Sequence, residues 1–192
     1  MIPSIRLLMP LVLVVMTGLV AAGFFVEDSL AIFTDQEVNA ANTISAGNIA
    51  LDDAPDSAFL TVSNMIPGDT SISSVTLTNS GTGDLRYAMT TSADNTDTKN
   101  LRDQLQLTIR TKTVNPCSSE DGTIIYGPGI LSSGVFGSAA QGADAGDRAL
   151  LAAANEILCF KVELPIASAD TYQNATTTAT FTFDAEQTSN NP

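Results

Sequence analysis

Apolar and polar residues alternate along most of the chain beyond about residue 44, in short runs separated by turn residues. The clearest runs cover residues 71–79, 85–89, 105–109, 156–164 and 179–185. Between them, Pro67-Gly68 is a turn signal, because proline presets φ and glycine accepts φ > 0. A period of two bounded by turns is typical of antiparallel strands, so we predict an all-β fold, either a sandwich or a barrel.

Other segments are less regular. We expect two more short strands at residues 44–51 and 59–62, and we expect the runs at 71–79 and 85–89 to pair as neighbours. Residues 101–104 suit a single helical turn. Residues 147–155 have a helical composition but are too short for an isolated helix to be stable. The tail, Thr188 to Pro192, is predicted to be disordered.

The N-terminal 31 residues read as an export signal. Arg6 supplies a basic start, an apolar core follows, and Ser29 and Ala31 are the small residues that a signal peptidase accepts before a cut at Ile32. Two alternatives stay open. Residues 7–26 are uncharged and are about as long as a membrane-spanning helix, so the segment could stay as an uncleaved anchor, and cleavage could instead follow Ala22.

The length and net charge of the chain limit the number of domains and the kinds of partner. Residues 32–187 are enough for one ordinary β-sandwich domain. The whole chain carries a net charge of −13 and has no basic patch, which argues against nucleic-acid binding. Membrane contact is expected only through the uncleaved N-terminal segment. The composition therefore agrees with export.

The two cysteines, Cys117 and Cys159, fit the same compartment. An even count in an exported chain most simply indicates one disulfide. The alternative, two buried reduced thiols, needs a reducing environment. A zinc site is disfavoured because the cysteines lack C-x-x-C spacing and the chain has no histidine.

Catalytic chemistry is largely excluded by composition. Without histidine the common triads and the H-E-x-x-H zinc sites cannot form, and no phosphate-binding glycine motif is present. The acidic clusters Asp52, Asp53 and Asp56, and Glu120 with Asp121, offer oxygen ligands that suit Ca²⁺. In an acidic chain such clusters are more often solvated turns. We therefore predict no catalytic residue and no cofactor, with Ca²⁺ as a weak alternative.

Two segments carry the motifs of a known family. The first is I-F-T-D at 32–35 followed by N-T-I-S-A-G-N-I-A-L-D at 42–52. The second is P-G-D at 67–69 followed by V-T-L-T-N-S-G at 75–81. Together they resemble the TasA, camelysin and spore-coat-associated proteins. The chain is shorter than the best-known fibre former of that family and carries the cysteine pair, so the resemblance is not carried over to residues 115–155.

The resemblance implies cleavage by a SipW-type signal peptidase and a jelly-roll-like β-sandwich with short helical turns and long loops. It also implies self-association into extracellular biofilm-matrix or cell-surface fibres, in which the freed N-terminal segment acts as a donor strand for the next subunit. Here the donor is residues 32–42, with Ile32, Phe33 and Val38 as anchors. The alternative is that this segment pairs with its own sheet as the first strand.

Two other classes of function stay open. Camelysin-type relatives carry a metallopeptidase label, but this chain lacks the histidine ligands of known zinc proteases, so we expect no enzymatic activity. A monomeric binding domain displayed on an uncleaved anchor is the alternative to a fibre subunit.

Overall fold

The computed structural model describes residues 45–114, 117 and 121–191, and these residues form two antiparallel sheets packed face to face. The strands are β1 (Leu51–Ala54), β2 (Thr70–Asn79), β3 (Leu85–Ala93), β4 (Gln106–Lys112), β5 (Thr123–Ile130), β6 (Val135–Phe136), β7 (Arg148–Leu150), β8 (Asn155–Glu163) and β9 (Ala179–Gln187). One helical turn, α1 (Leu101–Gln104), and 3₁₀ turns at Leu131–Ser133 and Asp170–Tyr172 lie in the connections. The predicted all-β sandwich is confirmed.

The larger sheet has five strands in the order β1-β2-β8-β4-β5, and every neighbouring pair is antiparallel. The smaller sheet is built on β3. β9 pairs with β3 along its whole length, from Leu85 to Ala93. The short strands β6 and β7 therefore share the other edge of β3, β6 near Met89 and β7 near Leu85.

The core lies between the sheets and consists of inward-facing side chains of β2, β3, β4 and β8. Its most deeply buried members, each at most 3% exposed, are Val75, Leu77, Leu85, Tyr87, Met89, Leu107, Ile109, Leu158, Phe160 and Val162. They occupy alternate positions, as the period of two in the sequence predicted. Full burial of one such side chain contributes about 1.5–3 kcal/mol, so these positions dominate the hydrophobic stabilisation.

Phe59 also belongs to this core, although the strand predicted at residues 59–62 is absent from the structure. The connection from β1 to β2 contains no strand, and Phe59 inserts its ring between the sheets. The ring centroid lies 4.9 Å from that of Phe160 in β8 and 5.2 Å from that of Phe181 in β9. Aromatic packing rather than strand pairing fixes this segment.

β2 and β3 lie in different sheets, so the prediction that they pair as neighbours is wrong. The turn at residues 80–84 instead carries the chain from one sheet to the other. The buried side chain of Asn79 holds that turn, since its Nδ2 donates to Gly83 O at 2.9 Å and its Oδ1 accepts from Gly81 N at 3.0 Å. A period of two fixes which side chains face inward, but it does not fix the partner of a strand.

β7 occupies part of the segment whose composition suggested a helix. It pairs with Leu85–Tyr87 of β3, and the chain then turns at Ala153, whose φ is 59°, before β8 begins. Pairing and packing outweigh helix propensity in a segment too short to be stable as a helix alone.

Residues 188–191 lie against the smaller sheet, where the sequence predicted a disordered tail. Thr188 N donates to Asp84 O at 3.1 Å, and Asn191 Nδ2 donates to Glu186 Oε2 at 2.8 Å. The Arg86 guanidinium donates to both the Asn191 carbonyl and the Glu186 carboxylate, and its hydrogen bond holds the pKa of Glu186 below its usual value. These polar contacts, which the composition of the tail did not indicate, hold it in place.

Candidate functional site

β9 forms an open edge of the smaller sheet. One side of the strand pairs with β3, and no other strand in the described part of the chain pairs with the opposite side. β9 has nine residues without proline or glycine, and its polar residues alternate with Phe181 and Phe183. Such an edge presents a row of backbone N–H and C=O groups to which a further strand can bind.

The other three sheet edges are shorter or interrupted. β1 has only four residues, and Pro55 follows it. β5 contains Gly127-Pro128-Gly129, and proline lacks the N–H that a ladder needs. β6 and β7 divide the third edge into pieces of two and three residues. Natural sheets use these features to prevent edge pairing, so among the described strands β9 is the edge best suited to receive another strand.

The aromatic side chains that β9 points into the core are only partly buried. The Phe181 ring lies 5.0 Å from Phe160, and the Phe183 ring lies 6.4 Å from Tyr87, measured between centroids. Both rings keep an exposed side, unlike the inward residues of β3 and β4. Complete burial of a phenylalanine contributes about 1.5–3 kcal/mol, so a strand laid beside β9 would gain a fraction of that for each ring.

The described chain enters the sandwich beside the turn that joins β2 to β3. Residues 45–50 form no strand there, so the predicted strand is wrong over these residues, and β1 begins only at Leu51. Thr82 N donates to Asn48 O at 2.9 Å instead. A Cβ atom on Gly81 would lie 2.6 Å from Asn48 O and 2.7 Å from Ala50 N, so only glycine allows this close approach of two backbone segments.

Asn79 connects this entry point to a third segment. Its side chain is fully buried, and its Nδ2 also donates to Leu150 O at 3.1 Å. Its backbone N–H donates to Ala154 O at 2.9 Å, and its carbonyl accepts from Ala153 N at 3.0 Å. We call this end of the sandwich, formed by residues 48–50, 79–84 and 151–154, the junction pole. The N-S-G motif at 79–81 was its sequence signal, but the role of Asn79 was not foreseen.

A polar cluster of Tyr87, Arg148 and Glu156 lies between the sheets. The Tyr87 hydroxyl donates to Glu156, whose carboxylate also accepts from Arg148 Nε at 2.9 Å. Burial raises the pKa of Tyr87 above its ordinary value, and the Glu156 carboxylate raises it further. The cluster therefore joins β3, β7 and β8 through side-chain hydrogen bonds.

The predicted disulfide between Cys117 and Cys159 is confirmed, with 5.8 Å between the two Cα atoms. It ties the segment that follows β4 to β8 of the larger sheet. The predicted cleavage and anchor positions lie outside the described residues: Ser29, Ala31, Ile32, Phe33 and Val38. Within the described residues, no helix has the length and apolar character needed to span a bilayer.

Four residues of the two acidic clusters lie within the described part of the chain: Asp52, Asp53, Asp56 and Asp121. Asp52 and Asp53 are successive residues of β1, so their side chains point to opposite faces. Asp121 lies 3.8 Å from Lys112 Nζ, and Glu120 is outside the described residues. In the part of the chain that the structure describes, no three His, Cys, Asp or Glu side chains are grouped to hold a metal ion.

These features define a class of protein, an acidic all-β sandwich with a disulfide and one long open sheet edge. The chain belongs to the camelysin metallo-endopeptidase family, whose family model matches residues 7–126. The match covers both motif segments, at 32–52 and 67–81, and confirms the resemblance to TasA and camelysin proteins. A comparison with curated proteins finds no significant match.

The family description implies a metal ion, and the donor groups of this chain do not fit a zinc endopeptidase site. Such sites hold zinc mainly through histidine nitrogens. The chain has no histidine, and both of its cysteines are joined to each other. The remaining donors are carboxylates, which suit hard cations and do not reproduce the ligand set of a zinc protease.

Proposed function

We propose that this chain is an exported structural protein that assembles into extracellular matrix or cell-surface fibres. In this proposal the arm, residues 32–42 of one copy, adds as a strand to β9 of the next copy. Export, cleavage after Ala31 by a SipW-type signal peptidase and self-association all belong to the proposal. Cleavage matters because it frees the arm from the apolar segment before it.

The observation that carries the proposal is the difference between β9 and the other edges. Among the described strands, the other three edges are short or interrupted by proline, whereas β9 offers nine regular residues beside partly buried aromatic rings. A fold that protects three edges and leaves the longest one open is suited to strand addition at that one edge. The candidate anchors of the arm are apolar, and because successive side chains of a strand point to opposite faces, either Phe33 or the pair Ile32 and Val38 would cover Phe181 and Phe183.

Strand addition would stabilise the joint between two copies in two ways. Backbone groups of the arm would pair with those of β9, while its apolar side chains would be removed from water. The net contribution of each backbone hydrogen bond is about 0.5–1.5 kcal/mol, so a full ladder together with burial at the anchors is enough for a stable joint.

We further propose that the protein has no peptidase activity, despite the description of its family. Support comes from the ligand chemistry: zinc proteases need imidazole ligands that this sequence lacks. An assay of the purified protein on denatured casein, with and without added Zn²⁺, tests the point. Zinc-dependent cleavage that a chelator abolishes would refute it.

Assembly is tested with a chain that begins at Ile32. We expect fibres in negative-stain images of the wild type and monomers for Phe33→Asp, because a charge at an anchor position cannot be buried in the joint. Gln36→Asp adds the same charge at a polar position of the arm and should still assemble. Fibres formed equally well by the Phe33 variant, or monomers for all three proteins across salt and pH, would contradict the proposal.

Mass spectrometry of the natively produced protein separates the fibre subunit from the alternative of an anchored binding domain. A mature N-terminus at Ile32 agrees with a freed arm. A cell-bound chain that keeps residues 7–26 would favour the anchored monomer, since its arm would stay attached to the membrane segment.

A further inference from the structure

The sandwich has two ends, and the end opposite the junction pole is closed by two connected turns. These turns, at residues 65–69 and 165–168, form what we call the distal pole, where β2 and β4 begin. Gly68 N donates to Leu164 O at 2.7 Å, and Leu164 N donates to Asp69 O at 3.0 Å. Asp69 also accepts from Ile66 N at 2.9 Å through Oδ2, so the tip is held by its own hydrogen bonds.

The most exposed large apolar side chains lie at these two poles. Ile66 is 65% exposed and Ile166 is 83% exposed at the distal pole. Leu151 is 63% exposed at the junction pole, and Val114, 65% exposed, follows β4 at the same end. Every other large apolar side chain in the described residues is less than half exposed. The four most exposed of these side chains are thus divided between the two poles, where they are available for contact with another molecule.

We infer that the distal pole of one copy packs against the junction pole of the next, with Ile66 and Ile166 covering Leu151. The partner is thus a second copy of this chain in the same orientation. This inference rests on the proposed function, because it requires the arm of one copy to reach β9 of another.

The length of the arm brings the two poles together. Thirteen residues, 32–44, lie between the predicted cleavage point and Ser45, which begins the described chain beside the junction pole. An extended strand rises about 3.3 Å per residue, so pairing along the nine residues of β9 leaves about four residues, or roughly 13 Å, to cross between copies. A crossing that short holds the neighbouring pole close to the junction pole.

The direction of β9 determines which pole of the next copy the arm enters. β9 runs from Ala179 near the distal pole to Gln187 near the junction pole. An arm that enters the next copy at its distal pole therefore runs antiparallel to β9. An arm folded back onto its own β9 would run parallel to it, whereas every ladder among the described strands is antiparallel. The antiparallel arrangement is also the slightly more stable one.

A repeated head-to-tail contact has a structural consequence. It places different surfaces of identical subunits together, and such a heterologous contact continues indefinitely unless rotation closes it into a ring. The junction pole of each copy then points to the next distal pole along the whole fibre.

Cysteine cross-linking within fibres tests the contact. One protein carries Leu151→Cys and a second carries Ile166→Cys, each in the chain that begins at Ile32. The native cysteines are joined to each other, so the introduced thiols are the reactive ones among the described residues. We expect a short bis-maleimide to join the two proteins in mixed fibres. The matched control replaces Leu151→Cys by Val135→Cys on the flank of the smaller sheet, and we expect several-fold less cross-linked dimer.

The outcomes distinguish the two proposals. Fibres that form normally, but in which the Leu151→Cys and Ile166→Cys proteins give no more cross-linked dimer than the flank control, would overturn the pole contact and leave the proposed function standing. A chain that forms no fibres would overturn both. A second readout is the Ile66→Ser/Ile166→Ser double variant, which should raise the protein concentration needed for assembly about tenfold, because two exposed side chains no longer gain burial. An unchanged concentration would also count against the contact.

Discussion

Replacing Gly81 by alanine tests how the entry point of the chain is held. The added Cβ would meet three backbone atoms at 2.6–2.8 Å: Asn48 O, Ala50 N and Ile49 Cα. No flexible side chain can move away, so residues 48–50 must shift from the turn and give up their hydrogen bonds to Ser80, Thr82 and Gly83. At about 0.5–1.5 kcal/mol for each bond, the expected loss is about 2–4 kcal/mol of unfolding free energy.

The same turn supplies the control. A Cβ on Gly83 would lie 3.6 Å from both Asn48 O and the Ile49 side chain, which is an ordinary contact. Gly83→Ala should therefore stay within about 1 kcal/mol of the wild type, and the lower entropy of its unfolded chain could even stabilise it slightly. Urea denaturation followed by far-ultraviolet circular dichroism measures both variants. Equal midpoints for the two alanine variants would refute the steric argument.

Two further predictions concern stability. The Cys117–Cys159 bond links residues 42 positions apart, and its reduction should lower the unfolding free energy by up to about 4 kcal/mol in the chain-entropy model. A urea midpoint unchanged by reductant would contradict this. As a control, the variant with both cysteines replaced by serine should not respond to reductant. The pKa of buried Tyr87 is raised above its ordinary value of 10.0, so its protonated hydroxyl favours the folded state. This contribution to the unfolding free energy is fully present below that pH. It is lost as the pH rises above it, because the unfolded chain loses the proton first. In urea denaturation between about pH 9 and 11, the unfolding free energy should fall less steeply with pH for Tyr87→Phe than for the wild type. Equal slopes for the two proteins would contradict this prediction.

The sequence predicted the strands better than it predicted their partners. Alternation placed Val75, Leu77 and Phe160 in the core correctly, because inward positions in a sandwich must be apolar. It could not reveal that β2 and β3 belong to different sheets, since that depends on the buried amide of Asn79 and on the turn it holds. Pairing across a large sequence distance, as between β3 and β9, leaves no local pattern.

The candidate site was only partly visible in the sequence. The N-S-G motif pointed to the turn at residues 79–81, and the cysteine count pointed to the disulfide. The open edge of β9 could not be read from the sequence, because A-T-F-T-F-D-A-E-Q alternates in the same way whether one side of the strand is paired or both are. The exposure of Ile66 and Ile166 was equally unpredictable from the sequence, since an apolar residue beside a turn usually packs inward.

The open edge of β9 has a consequence for the growth of the proposed fibre. In that fibre each subunit would have two connection points, one acceptor edge and one donor arm, so the fibre would be linear and unbranched. A copy whose arm is still attached to the uncleaved N-terminal segment could accept an arm, yet it would donate none, and it would end the filament it joins. Fibre length would then depend on the proportion of such terminating copies, a quantity that a cell could set through the extent of cleavage alone.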